Sequence, residues 1–550
     1  MTRRVDAVVV GAGFGGIYML HKLLEAGMSV AGFEAGADVG GTWFWNRYPG
    51  ARCDVESLEY SYSFSSKLQQ AWRWPERYSS QPEILRYAAH VADELAVRPH
   101  IAFSTRVTAA VYDEAANTWT VETDTGDSCE ATYLIMATGC LSTPSRPKLP
   151  GLDRFSGKTL HTGEWPHEPV DLGGLRVGVI GTGSSGIQII PELAGKARHL
   201  HVFQRTANYC VPARNEAMDP DYEAAIKARY DELREIARAS HGGVAGSLQP
   251  ERSAFEMTPQ EREAVLQARW DAGGIGGFTK TFNNLLRDAE VNEIASEFVR
   301  RKIREIVKDP AVAARLCPRY MIGTKRLCAG SGYFETYNRD NVTLVDIAEH
   351  PLVEATPAGL RTDAAEYALD AIVFATGFDA MTGSLARIDI RTSSGVSLRE
   401  RWQDGPRTYM GLMTAGLPNF FHITGPGSPS VLSNVILSIE QHVEWIADLL
   451  VHMRHAGMNR VEADEDAQER WVVHADEVAK QTLLYNASSW YTGANIPGKP
   501  RVFMPYLGGH GNYRRRCDEV ARSGYPGFHL SRALHEHRAT SCRSTPPSAR

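Results

Sequence analysis

Two glycine clusters in this chain have the spacing that cradles a dinucleotide. Gly11, Gly13 and Gly16 follow the apolar run Val8-Val9-Val10, and Gly181, Gly183 and Gly186 follow the run RVGVI. At G-x-G-x-x-G spacing, glycines permit a tight turn and bring backbone N–H groups to a pyrophosphate at the N-terminus of the next helix. The clusters differ at the ribose position. The strand MSVAGFE ends in Glu34, 18 residues past Gly16, where an acid accepts hydrogen bonds from ribose hydroxyls. The position 18 residues past Gly186 is Gln204, followed by Arg205 and Thr206. A guanidinium in place of an acid suits a 2′-phosphate. The first site is therefore expected to hold FAD or NAD, and the second NADPH. Ser184, Ser185 and Gln188 join the second site as cofactor-binding candidates.

Each cluster needs a strand before it and a helix after it, and both are legible: a buried strand precedes each cluster, and IYMLHKLLEAG continues the first as a helix. Two further apolar strands, LIMATGCLS (Leu134–Ser142) and AIVFATGFDA (Ala371–Ala380), end in A-T-G, one after each glycine segment. Their recurrence suggests a two-dinucleotide flavoprotein with a flavin at the first site and Asp379 facing it. STPSRPKLPG (Ser142–Gly151) has three prolines in ten residues and reads as a linker. The expected class is α/β, with two Rossmann-like domains. The FAD domain would span 1–143 and resume over 381–530; the NADP domain would span 144–215 and 321–380. Apolar residues at i, i+3, i+4 spacing predict a helical insertion over 216–320 and a helix over Ser438–Met453. The segment 531–550 is expected to be a disordered tail.

The whole chain has 550 residues, 43% hydrophobic and 23% charged, with a net charge of −6. This composition suits a globular protein of several domains and offers no basic footprint for nucleic acid or an anionic membrane. No apolar run approaches the roughly 20 residues needed to span a bilayer, and the first strand is too short for a signal peptide. The eight cysteines include no C-x-x-C pair, which argues against a redox disulfide or a zinc ribbon. No metal site is expected, and the setting is expected to be cytoplasmic.

Between the linker and the second glycine cluster lies FSGKTLHTGEWP, with Phe155, Gly157, His161, Thr162, Trp165 and Pro166 at fixed offsets. The pattern F-x-G-x-x-x-H-T-x-x-W-P, flanked by two dinucleotide motifs, resembles the fingerprint of the type I Baeyer–Villiger monooxygenases. GGTWFWNRYPGARCD (Gly40–Asp54) resembles this family's flavin-contacting loop, and GPGSPSVLSN (Gly425–Asn434) its phenylacetone and steroid monooxygenase members. The resemblance runs to GANIPGKPRVF near the C-terminus.

This resemblance implies NADPH reduction of FAD, formation of a flavin C4a-peroxide while NADP+ stays bound, and attack on an aryl, cyclic or steroid ketone to give an ester or lactone. It implies that Arg326, in IGTKRLC, is the essential cation and that Asp54 orients it. Thr42, Trp43, Tyr60 and Val107 carry over to the flavin with Glu34. Lys325 and Trp490 carry over to NADP, beside Arg205 and Thr206. Cys140, Leu141, Val431, Leu432 and Val435 are expected to shape the substrate pocket. His161, at the domain junction, reads as a hinge residue with Thr162 and Trp165 fixing the loop. The partners expected are a ketone and O2, with no obligate protein partner. Two alternatives stand beside this reading: an N- or S-oxygenating flavin monooxygenase, with less use for Arg326, and a non-catalytic flavoprotein module.

Overall fold

A computed structural model describes residues 3–246 and 252–533. Two sheets organise it. The first places Val30–Phe33, Arg3–Val10 and Ser128–Met136 side by side and parallel. Antiparallel strands Val107–Asp113 and Thr118–Thr123 extend it on one edge. Two late segments return to this sheet: Asp389–Thr392 pairs with Val107–Asp113, and Phe420–His422 pairs with the end of Ser128–Met136. The second sheet is wholly parallel, in the order Val342–Asp346, His199–Gln204, Arg176–Ile180, Ala371–Phe374, Lys158–His161.

Burial on both faces explains why the central strands are apolar runs without alternation. Ala7, Val8 and Val9 are fully buried, as are Val177 and Val179 in the second sheet. Each buried Val contributes about 1.5–3 kcal/mol. Cofactors bind such sheets outside the carboxyl ends of the strands, where the strand order reverses. Here that point falls between Arg3–Val10 and Ser128–Met136, and again between Arg176–Ile180 and Ala371–Phe374.

The two A-T-G segments acquire a physical reason at these points. A Cβ on Gly11 would stand 2.5 Å from the Ala137 carbonyl oxygen, and one on Gly181 would stand 2.4 Å from that of Ala375. In each domain the strand end packs directly on the first glycine of the dinucleotide turn, where φ is +103° and +109°.

The described residues of 216–320 are largely helical, and their helices divide between the two cores. Tyr230 joins the first core, and the nearly buried Arg234 donates to Leu58 O (3.1 Å), Glu59 O (3.0 Å) and Ser61 Oγ (2.8 Å). The later helices Pro259–Ala272 and Ala289–Ile306 instead place Leu266, Trp270 and Phe298 against Val177 and Val179. A short parallel ribbon, Cys210–Pro212 with Cys328–Gly330, closes the insertion at its base. An antiparallel meander of three strands between Leu352 and Ala368 was not anticipated from the sequence. At the C-terminus, Ser531 still pairs with Arg460, so the tail expected from 531 starts inside a strand; residues 534–550 lie outside the described residues.

Candidate active site

The first glycine turn forms a cradle that fits a flavin dinucleotide. A Cβ on Gly16 would fall 1.8 Å from the Gly11 carbonyl oxygen, and one on Gly41 would fall 2.8 Å from Gly13 Cα. The G-x-G-x-x-G turn and the Gly40–Trp43 loop therefore touch backbone to backbone. The helix Phe14–Glu25 starts with no side-chain cap, leaving its first N–H groups for a pyrophosphate. Glu34 is buried and accepts from Ala12 N (2.6 Å) and Gly36 N (2.7 Å). A carboxylate has about four lone-pair sites, so capacity remains for ribose hydroxyls. Trp43 Nε1 donates to Tyr60 Oη (3.1 Å) beneath this loop, while Thr42 is exposed. Val107 is buried in the sheet core at the start of its strand.

The second turn repeats the cradle with an open entrance. A Cβ on Gly186 would meet Gly181 O at 2.3 Å, whereas one on Gly183 would meet nothing within 4 Å. The helix Ser184–Ala194 also lacks a side-chain cap. Arg205 and Thr206 are exposed just past the strand His199–Gln204. Lys325 packs its Nζ 4.7 Å above the Tyr320 ring, and burial, then the Arg205 charge, lowers its pKa. Neither cation has an acidic partner in an ion pair among the described residues. Ser184 Oγ lies 3.3 Å from Cys328 Sγ. Gln188 faces the other domain: it accepts from Tyr48 Oη (2.7 Å) and donates to Arg52 O (2.9 Å). The side chain expected at the nucleotide is thus engaged in joining the two domains.

Asp54 and Arg326, 272 residues apart, meet at that junction. Arg326 Nε donates to Asp54 Oδ2 (3.0 Å), and Nη2 donates to Oδ1 (2.5 Å) and Oδ2 (2.7 Å). Nη1 donates to the Val431 carbonyl (3.2 Å). The Asp54 charge raises the Arg326 pKa far above its ordinary value against the opposing effect of burial. The guanidinium is a fixed, oriented, permanent cation.

Of the pocket candidates, Cys140, Leu141 and Val431 meet in one apolar cluster with Ala380, Met381 and Trp490. Cys140 Sγ lies 2.9 Å from Ser430 Oγ, which ties this cluster to the turn carrying Val431. Val435 packs on the first core instead, and Leu432 belongs to neither group. The Trp490 ring packs against Tyr491, with centroids 4.2 Å apart and the planes tilted by 46°. Asp379 is paired with Lys499 Nζ (2.5 Å), which also donates to Ala380 O (2.7 Å).

The fingerprint stretch carries the edge strand of the second sheet, Lys158–His161. His161 is buried, accepts from Gly163 N (3.0 Å) at Nδ1, and directs Nε2 to Thr376 Oγ1 (3.2 Å) and the linker's Ser145 O (3.4 Å). Thr162 Oγ1 donates to Phe374 O (3.4 Å), Trp165 is core, and a Cβ on Gly157 would collide with Asp370 O at 2.4 Å. Phe155 packs beside Ile372 and Phe374 in a small cluster, whereas Pro166 is exposed. Burial holds the His161 imidazole below its usual pKa.

Residues 3–237 match the flavin-binding monooxygenase-like family. A Baeyer–Villiger monooxygenase from Pseudooceanicola batsensis is 46% identical over 525 residues, covering 94% of this chain and 95% of that protein. The chain belongs to the Baeyer–Villiger monooxygenase family. A solved structure of an oxidised steroid monooxygenase bound to NADP superposes on this monooxygenase with a TM-score of 0.92 at 50% identity, covering 96% of this chain and 99% of that one. A phenazine N-monooxygenase from Lysobacter antibioticus is 42% identical over 528 residues, covering 96% of this chain and 97% of that protein.

Three contacts of this monooxygenase's site carry no sequence signal. The Val431 group that fixes Arg326 is a backbone carbonyl, which any residue supplies. Tyr491 lies close enough to raise the Arg326 pKa further, yet looks like any core aromatic. Lys499 sits in GANIPGKPRVF, where only folding reveals its partner Asp379.

Proposed function

We propose that this chain catalyses the NADPH- and O2-dependent oxidation of a ketone to an ester or lactone, with FAD as its cofactor. The observation that carries this reading is the bidentate Asp54–Arg326 pair, anchored by Val431 O at the apolar cluster of Cys140, Leu141 and Trp490. FAD, held by the Gly11–Gly16 turn and Glu34, supplies reduction by NADPH and activation of O2.

The chain's own part is positional and electrostatic. Arg205, Thr206 and Lys325 receive the 2′-phosphate of NADPH, and Trp490 offers an indole N–H to the same ligand. Asp54 occupies the Nε edge of Arg326 and keeps the pair neutral overall. Nη1 spends one of its two N–H groups on Val431 O, leaving the other for the ketone oxygen as negative charge develops there. The apolar walls exclude water and strengthen that interaction. His161, tied to both the linker and Thr376, is a hinge residue rather than a catalytic base.

One observation favours a second reading, N-oxygenation: the phenazine N-monooxygenase is nearly as similar as the Baeyer–Villiger relative. A panel of aryl, cyclic and steroid ketones, amines and heteroaromatic nitrogens, with products identified by mass spectrometry, separates the two. Ketone products heavier by one oxygen are expected; N-oxides alone, with every ketone untouched, would reverse the assignment. The cradle makes its own prediction. Gly16→Ala, whose Cβ would overlap Gly11 O, is expected to purify without flavin, seen as lost visible absorbance per protein. Full flavin content would show that the cofactor lies elsewhere.

A further inference from the structure

Two residues of the segment that carries Val431 stand in the left-handed region without being glycine: Thr424, with φ +53°, and Ser430, with φ +43°. Such conformations persist only where the surroundings over-determine them, and they cluster at functional sites. One side chain touches both residues. Cys140 Sγ lies 2.9 Å from Ser430 Oγ and 3.7 Å from Thr424 Oγ1, and it donates to Thr424 O (3.8 Å). All three residues are buried. Burial raises the Cys140 pKa, which suits a hydrogen-bonding thiol and disfavours a nucleophilic thiolate.

The two ends of this contact lead to the two parts of the site. Cys140 stands three residues beyond Ala137, whose carbonyl packs on Gly11 of the flavin turn. Its own carbonyl accepts from Met381 N (2.8 Å), so the thiol is mounted on tethered backbone. Ser430 immediately precedes Val431, whose carbonyl accepts from Arg326 Nη1 (3.2 Å). From the other side, Ser433 Oγ donates to Ser430 O (3.2 Å) and lies 2.8 Å from Ser438 Oγ, on the helix Val435–His455. Asn434 caps that helix, its side chain accepting from Ile436 N (3.2 Å). Ser430 is thus gripped between the segment that packs on the flavin turn and the helix behind it.

We infer that Cys140 and Ser430 are positioning residues: their contact holds Ser430 in its left-handed conformation and so points the Val431 carbonyl at Arg326, in register with the flavin turn. The consequence for the reaction rests on the Baeyer–Villiger reading; the contact itself does not. A misplacement of about 1 Å can cost about 100-fold in rate. With Arg326 out of register, the two electrons of NADPH pass to O2 to give hydrogen peroxide in place of ester and water.

The test uses the holoenzyme with Cys140→Ala, Ser430→Ala, both together, and Cys140→Ser. One readout is the ratio of ester to hydrogen peroxide at saturating ketone; the other is the Val431 O to Arg326 Nη1 distance in crystals. Each single alanine variant is expected to lower the ratio about fivefold, as one neutral hydrogen bond allows. The double variant should lose no more than either single one, because both remove the same contact. Cys140→Ser should return the ratio to within about twofold of native. Serine is nearly as small as alanine, so an effect of pocket volume alone would not be rescued. In crystals of Ser430→Ala the Val431 carbonyl should stand beyond about 3.5 Å from Nη1, outside hydrogen-bonding range. Native ratios in both single alanine variants, losses that multiply in the double, no rescue by serine, or an intact Val431–Arg326 contact in Ser430→Ala would overturn the positioning. A native enzyme that makes no ester from any ketone would instead defeat the Baeyer–Villiger reading, and the crystallographic distance would still decide the positioning.

Discussion

Arg326→Ala is expected to accept hydride from NADPH at close to the native rate and yet make no detectable ester, releasing hydrogen peroxide instead. The separation follows from where the guanidinium sits. Its contacts are Asp54 and the Val431 carbonyl at the pocket cluster, whereas the residues proposed to hold NADPH, the Gly181–Gly186 turn with Arg205 and Lys325, are not among them. Removing an oxyanion donor from a water-poor site costs about 3–4 kcal/mol, or two to three orders of magnitude in rate. The loss should reach the top of that range, because Asp54 is then left as a partly buried carboxylate without its cation and imposes negative charge where none is wanted. Stopped-flow reduction followed by product quantification measures both steps. Ester formation within about tenfold of native would remove Arg326 from the chemistry.

Arg205→Ala is expected to weaken NADPH by about 10–100-fold while changing NADH only slightly, since a charge-assisted contact to phosphate carries about 1.5–3 kcal/mol. That neither Arg205 nor Lys325 has an acidic partner in an ion pair among the described residues is what makes the prediction sharp. Lys325, whose pKa is lowered by burial and then by the Arg205 charge, gains most from a bound dianion. Steady-state KM values for both nucleotides, at matched ionic strength because screening weakens exposed charges, check this. Equal losses for NADPH and NADH would remove the 2′-phosphate role.

Much of this organisation was legible in the chain because it rests on local spacing. The glycine turns, Glu34 and its replacement by Gln204 and Arg205 follow from one strand–turn–helix pattern met twice. The A-T-G repeats were visible as text, but their reason, the contact of Ala137 and Ala375 with the first glycine of each turn, required the sheets. Arg326 and Asp54 were identified through family likeness; nothing in spacing joins residues 272 positions apart. The divided insertion was illegible for a physical reason. An amphipathic helix announces that it has an apolar face, not which core receives it, so Tyr230 and Trp270 read alike and pack on different domains. Gln188 belonged to a nucleotide motif by position, yet its amide bridges Tyr48 and Arg52 across the domain junction.

The central claim, that this site inserts an oxygen atom from O2 beside a ketone carbonyl, is tested most directly by isotope. The holoenzyme is given NADPH, oxygen-18 gas and a ketone, and the product is analysed by mass spectrometry. An ester or lactone carrying one oxygen-18 atom, at the bridging position and not at the carbonyl, is the expected result. NADPH consumption that yields only labelled hydrogen peroxide, with every ketone recovered unchanged, would contradict the account.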